Sequence, residues 1–469
     1  SLQIKPLRLS KWLNAASAFL SESQINSIKD FRFISKIQPV SQYIRKDHEE
    51  SLHKRSLQPA RYNNIYGRSF IQNNLMRVPE IHEIGINGTG VLIGLLDSGF
   101  NYKAHEAFSH ITVIAEYDFV NNDSVTANEA DDNDVSSQHS HGTKVLSVIA
   151  GYKEHELVGP AFGAEYLLGK TEDVRSETVV EEDNWVAGIE WMENLGADIV
   201  SSSLGYNDWY TYEDMDGNTA ITTIAADIAV EKGVIVVNSL GNEGNNSWRH
   251  MIAPADARGV ISVGSVDQNG ILSSFSSFGP TYDDRIKPDV VAMGTNVYVA
   301  TPSTTDQYTF ANGTSLACPL VAGAAALLLC VNPELTPHQV MELLKNTAAN
   351  SDTPDNSYGW GLINVYEAIF AMNPEFPSNF ILYDNYPNPL NNSTVITYRL
   401  LKDGDVSLKI FNLNGQTIQI LTDSYQPTGT YQFRWNGKNN EAKDVASGIY
   451  FYQLKLDNST AVKKMMFIK

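Results

Sequence analysis

The chain has 469 residues, 42% of them hydrophobic and 19% charged, and a formal net charge of −20. That length predicts two to four domains with room for a large core, and the apolar content argues against a disordered chain. The acidic balance argues against nucleic acid as the principal partner, because phosphate binding needs a basic face.

Charge falls into three blocks: residues 1–65 carry a net +6, residues 66–376 a net −29 and residues 377–469 a net +3. The first block opens Ser1-Leu2-Gln3, which is compatible with a leader already removed. Apolar stretches at 2–5 and 12–16 are followed by Ser21 and Gln24, a capping-box spacing that predicts a helix through Ile25 and Ile28. Residues 31–40 read as a strand. About 65 residues is thin for an independent core, so this block is expected to fold against another part of the chain.

In the middle block, residues 91–96, 165–169, 198–201, 234–237 and 260–263 are short, apolar and β-branched, with helical patterns such as 185–191 and 221–231 between them. Near-continuous apolar strands alternating with helices predict a parallel sheet buried on both faces. Ligands then sit beyond the carboxyl ends of the strands. After a Pro-containing linker at 373–377 the pattern changes to alternating strands at 395–400, 406–411, 417–421, 431–435, 449–456 and 465–468. Asn414-Gly415 is a hairpin signal, and the whole block predicts an antiparallel β-sandwich. No apolar run reaches the ~20 residues of a spanning helix. The two cysteines, Cys318 and Cys330, lie on one apolar helix. Twelve residues apart, they are separated by roughly 18 Å, beyond disulfide reach.

Three residues carry chemistry only as a set. Asp97 closes the strand at 92–96, His141 opens an apolar helix at 145–151, and Ser315 opens the buried helix that holds Cys318. Singly, each reads as a cap or a packed side chain. Together, in the order Asp, His, Ser, they match the order of a subtilisin triad. The pieces Leu96-Asp97-Ser98-Gly99, His141-Gly142-Thr143, Ser239-Leu240-Gly241-Asn242-Glu243-Gly244 and Gly313-Thr314-Ser315-Leu316-Ala317-Cys318-Pro319 resemble the subtilisin-like serine peptidases, and the resemblance spans the middle block.

That resemblance implies an α/β subtilisin-like three-layer fold with a mostly parallel central sheet, preceded by a small α+β prosegment (1–65) and followed by an antiparallel β-sandwich (377–469). It implies a secreted serine endopeptidase whose peptidase domain is 66–376. Ser315 would be the nucleophile, His141 the base, Asp97 its orienting partner and Asn242 a side-chain donor to the oxyanion. Substrate would pair as an added strand against Ser203, Leu204 and Gly205. The acidic loop at 172–183 would border the subsites upstream of the cut and favour basic side chains there. Leu316 and Cys318 stand where relatives often carry Met and Ala; Cys318 reads as a small packed apolar residue, with crowding of the nucleophile by a bound thiol reagent as the alternative.

Residues 1–65 resemble the later part of a subtilase prosegment, an intramolecular inhibitor cut between Arg45 and Gly67. The last block resembles the sorting domain of the type IX secretion system of Bacteroidota, on Asn385-Tyr386-Pro387-Asn388-Pro389, Ala446-Ser447-Gly448-Ile449-Tyr450 and Lys463-Lys464-Met465-Met466. The expected partners are protein or peptide substrates, the prosegment and that secretion machinery, with no nucleic acid and no membrane span. No cofactor is expected for the chemistry; the run Glu129, Asp131, Asp132, Asp134 is a candidate structural calcium loop that fits no ligand template. A cell-surface binding protein on a peptidase scaffold and a peptide ligase on the same fold are the alternatives.

Overall fold

The structure is a computed structural model that describes residues 4–38, 42–43, 65–129, 134–372, 379–457 and 459–468. The chain divides into two compact units, Ser1–Ile369 and Phe370–Lys469.

The first unit begins with an antiparallel hairpin, β1 (Arg8–Ser10) and β2 (Ala15–Ser17), then helix α1 (Glu22–Ile28) and strand β3 (Gln42–Tyr43). Ser21 and Gln24 form the expected capping box on α1. The strand expected at 31–40 is not found in its described part. Residues 31–38 have no regular structure, and Phe31 stacks against Phe33 at 5.2 Å with no neighbouring strand to pair. Helices α2 (Phe70–Asn74) and α3 (Val78–His82) lead into β4 (Leu92–Asp97), β5 (Thr112–Asp118), α4 (Ser140–Ala150) and a small hairpin of β6 (Tyr152–Lys153) with β7 (Leu157–Val158). Next come β8 (Glu165–Lys170), β9 (Glu177–Thr178), α5 (Val180–Asn194), β10 (Ile199–Ser202), α6 (Ile221–Glu231), β11 (Ile235–Ser239) and β12 (Ile261–Val266). The series ends with β13 (Val290–Met293), the hairpin of β14 (Val297–Ala300) and β15 (Tyr308–Ala311), and helices α7 (Thr314–Val331), α8 (Pro337–Asn346) and α9 (Val365–Met372).

Seven strands form one parallel sheet in the order β13-β12-β11-β10-β4-β8-β5. Leu96, Leu167, Val200 and Val236 share one face and pack on Trp185 and Ile189 of α5 and Ala225 and Ala229 of α6. The alternate residues face α7, which crosses β10 to β13 with α4 beside it. Burial on both faces explains why the strands read as unbroken apolar runs. β5, an edge strand with a half-exposed pattern, and β13, only four residues long, escaped that signal. By length and composition alone α7 is apolar enough to cross a membrane, at a mean hydropathy of 2.1 over 18 residues. Yet 89% of it is buried inside the unit, which accounts for its composition.

The second unit is a sandwich of two antiparallel sheets. One holds β16 (Phe380–Leu382), β17 (Thr394–Leu400) and β20 (Gly429–Trp435). The other holds β18 (Gly404–Asn412), β19 (Thr417–Gln426), β21 (Gly448–Leu456) and β22 (Ser459–Phe467). Strict alternation along β17 and β18 turns Ile396, Tyr398, Val406, Leu408 and Ile410 into a shared core with Trp435 and Tyr452. Asn414-Gly415 makes the hairpin between β18 and β19, as expected.

Candidate active site

The parallel sheet sets the site at the carboxyl ends of its strands. Asp97 is the last residue of β4 and is fully buried. Its Oδ1 accepts from the Ser98 amide at 2.7 Å and from His141 Nδ1 at 2.8 Å, while Oδ2 lies 3.0 Å from the same nitrogen. His141 sits in the first turn of α4 and stays about a third exposed, so one edge of its ring is buried on Asp97 and the other is accessible. Gly142 permits that contact: a Cβ there would meet the Gly99 carbonyl at 2.3 Å and Asp97 Oδ1 at 3.0 Å.

Ser315 lies in the first turn of α7, where unpaired backbone N–H groups and the helix dipole favour negative charge. The preceding Gly313 has φ +149°, and a Cβ on it would press against Ser315 Oγ at 2.6 Å. Asn242 Nδ2 is the next atom met there, at 3.7 Å, so the hydroxyl and the carboxamide converge on one point. Asn242 Oδ1 accepts from the Thr314 amide at 2.9 Å and from the Thr314 hydroxyl at 3.0 Å. Because a backbone N–H can only donate, this fixes the flip of the carboxamide and turns its NH2 toward the solvent side. Ser203 Oγ donates to the Ser315 carbonyl at 2.8 Å, and the Leu204 carbonyl accepts from Asn238 Nδ2 at 3.0 Å. Ser203 therefore touches the nucleophile's own backbone, Leu204 is held by Asn238, and Gly205 lies against Ile252.

Cys318 is fully buried between the Ser202 and Val237 carbonyls, each 3.4 Å away, and burial pushes its thiol up to about 12. It is a packed residue out of reach of a reagent, and both cysteines are free thiols. His139, two residues before His141, is half-buried, with Nδ1 accepting the Asn128 amide at 3.0 Å. The acidic loop at 172–183 is largely committed internally. Glu172, Glu181 and Glu182 are buried, Tyr206 donates to Glu172, and Asp173 pairs with Arg175 at 2.6 Å. The side chain of Glu177 lies outside the described residues, and Asp173 and Asp183 are part-exposed. Of the candidate calcium run, Asp131 and Asp132 lie outside the described residues, and Asp134 pairs with Lys170. Among the described residues no three His, Cys, Asp or Glu side chains gather as metal ligands.

Two side chains at the site were not anticipated. Lys170 of β8 is in register with both Asp97 of β4 and Asp118 of β5. It is fully buried, with Nζ 2.8 Å from Asp118 and 2.9 Å from Asp134. Burial alone would lower its ammonium, but the two carboxylates hold it above its ordinary value. Asn238, also fully buried, ties the Leu204 and Ser239 carbonyls together with its NH2. An Asn breaking the apolar run of β11 one residue before its end was the available signal.

Comparisons with known proteins agree with this geometry. The Subtilase family matches residues 88–361, and the secretion system C-terminal sorting domain matches residues 384–469. Subtilisin NAT of Bacillus subtilis subsp. natto is 31% identical over 363 residues, covering 76% of this chain and 81% of that protein. Subtilisin DY of Bacillus licheniformis is 34% identical over 298 residues, covering 63% and 96%. Two solved structures share the fold at 24% identity and a TM-score of 0.51, each over 66% of this chain. They are MycP1 with its N-terminal propeptide removed, covered over 98%, and a protease of Pseudoalteromonas arctica, covered over 99%. The chain belongs to the subtilase family of serine endopeptidases, and its C-terminal sorting domain directs it through type IX export to the cell surface or beyond.

Proposed function

We propose that Asp97, His141 and Ser315 form the catalytic triad of a peptide-bond hydrolase, with Asn242 in the oxyanion hole. The reading is carried by the Asp97–His141 contact together with the convergence of Ser315 Oγ and Asn242 Nδ2 at the start of α7. With Nδ1–H held by Asp97, the neutral imidazole keeps its lone pair on Nε2. That atom takes the Ser315 proton as Oγ attacks the scissile carbonyl, then delivers it to the leaving amine; water repeats the cycle on the acyl-enzyme. Asp97 holds the ring in this orientation and stabilises the imidazolium. The Asn242 NH2 and the N-terminal amides of α7 receive the charge that develops on the carbonyl oxygen. Every proton in this sequence moves between the chain's own groups, substrate and water.

The substrate is a polypeptide laid as an added strand beside Ser203, Leu204 and Gly205. Residues 1–65 are an inhibitory prosegment that occupies the same cleft. In support, β3 pairs antiparallel with β9, Gln42 opposite Thr178 and Tyr43 opposite Glu177, as an upstream peptide would. Further back, the loop between β1 and β2 grips α5: Ser10 Oγ donates to Glu190, and the Lys11 amide donates to its Oε2 at 3.1 Å. Trp12 and Leu13 pack on the α5–α6 core. The cut falls between Arg45 and Gly67, a span of which only residues 65–67 lie within the described chain.

A serine-directed phosphonate tests the triad. Wild-type processed protein is expected to take up one label per chain, and Ser315→Ala none, with peptide hydrolysis down by about 10⁴-fold or more. Labelling that persists in Ser315→Ala overturns the assignment.

A further inference from the structure

We propose that Gln138 is a positioning residue that locks the Asp97–His141 pair to the strand on which the substrate peptide docks. The proposal rests on the serine-peptidase reading of the site.

Gln138 lies three residues before His141 and is fully buried. Its carboxamide makes three hydrogen bonds, all to main chain. Nε2 donates to the Ser98 carbonyl at 2.8 Å and to the Glu172 carbonyl at 2.6 Å, and Oε1 accepts the Val174 amide at 3.1 Å. Ser98 directly follows Asp97, whose own carboxylate accepts the Ser98 amide. Glu172 and Val174 belong to the link from β8 to β9, and β9 is the strand that pairs with β3. One side chain thus joins three loops: the one after Asp97, the one delivering His141, and the one presenting β9.

The chemistry of the amide suits the task. Two donors meet two carbonyls and one acceptor meets an N–H; a carboxylate cannot donate, an apolar group leaves two buried carbonyls and a part-buried N–H without this partner, and Asn is too short. The linked loops are braced on their far sides. Tyr206, just past Ser203–Gly205, donates to the Glu172 carboxylate, and Lys170 holds Asp118 and Asp134. A peptide pairing with β9 therefore loads a loop whose position Gln138 transmits to Ser98 and to the start of α4. Binding energy from upstream residues becomes available to the reacting geometry, where it raises kcat.

The test compares a single-residue ester with a peptide that carries four residues upstream of the same ester bond and leaving group. Both are assayed on processed full-length enzyme, with active sites counted by phosphonate. In the wild type, upstream extension is expected to raise kcat as well as lower KM. In Gln138→Met, of similar size, and in Gln138→Glu, which keeps an acceptor, the single-residue ester is expected within about threefold of wild type. Extension still lowers KM in both variants, but kcat on the longer peptide falls roughly tenfold, the scale of a small misalignment. A loss shared equally by single-residue ester and peptide, or no loss on either, shows that Gln138 only supports the fold and overturns the proposal. A wild type that takes no phosphonate and cleaves neither substrate overturns the peptidase reading and this proposal with it.

Discussion

The carboxamide of Asn242 is exposed, yet only half of it is available to a ligand. Its oxygen is occupied by the amide and hydroxyl of Thr314, so the NH2 is presented without the need to reorient. A donor fixed before the reaction stabilises the transition state more than the substrate. Asn242→Ala is therefore expected to lower kcat by about 10²–10³-fold with KM nearly unchanged, the scale set by the corresponding Asn of subtilisin. Steady-state kinetics on phosphonate-titrated enzyme checks this, and a rise in KM at constant kcat would place Asn242 in ground-state binding instead. Asn242, like Asp97, His141 and Ser315, was legible in the sequence because each sits inside a short contiguous motif. Gln138 and Lys170 were not. Their partners are main-chain atoms or carboxylates from loops far off in sequence, and a side chain that binds backbone leaves no pattern in residue types.

Helix α5 shows the same limit one level up. Glu172, Glu181, Glu182 and Asp183 read as an acidic, solvated or subsite-lining loop, but the helix begins at Val180 and turns Glu181 and Glu182 inward. The groups that receive Glu182 come from the segment before α6 and from its first turn: Trp209 Nε1 donates at 2.7 Å, Tyr210 OH at 2.9 Å, and Thr222 OH, within α6, at 3.3 Å. Burial outweighs these donors and pushes the Glu182 carboxyl up to about 7, with Asp183 adding to the rise. A carboxyl whose folded pKa exceeds its unfolded value favours the folded state fully below the unfolded value of 4.5. It loses that advantage as pH rises toward 7. Glu182→Gln keeps the shape and donates to the two hydroxyls instead. Relative to wild type it is expected to gain up to about 3 kcal/mol between pH 4.5 and 8. Denaturation in a Ser315→Ala background, which prevents self-digestion, reads that difference; a constant offset across the range would show that Glu182 does not change its protonation on folding. The elements themselves were legible where periodicity was strong. β4, β8, β10, β11, β12 and α6 fall within a few residues of expectation, whereas the expected strand at 31–40 was not, because alternation without a partner strand does not make a sheet.

At the scale of the whole molecule, the net charge of −20 is a sum of unlike parts, with +6 on residues 1–65 facing −29 on residues 66–376. Among the described residues, the contacts between them are less ionic than those totals suggest. Arg8 Nε and NH1 bond to Asn184 and Asn122, both at 2.7 Å. Lys232 rests over the Trp12 ring at 5.6 Å, and Trp12 and Leu13 fill an apolar seat. Long-range charge is therefore expected to govern the approach, and apolar packing with hydrogen bonds that are not ion pairs the residence. Residues 1–65 added to processed enzyme are expected to inhibit with an association rate that falls about tenfold or more between ~20 mM and ~500 mM salt, as the Debye length shrinks from roughly 20 Å to roughly 4 Å. The dissociation rate is expected to change by less than about twofold over that range and to rise by at least about tenfold in Trp12→Ala. Stopped-flow inhibition kinetics separates the two rates. A dissociation rate that climbs steeply with salt would mean that ion pairs, and not the Trp12 seat, hold the segment in place.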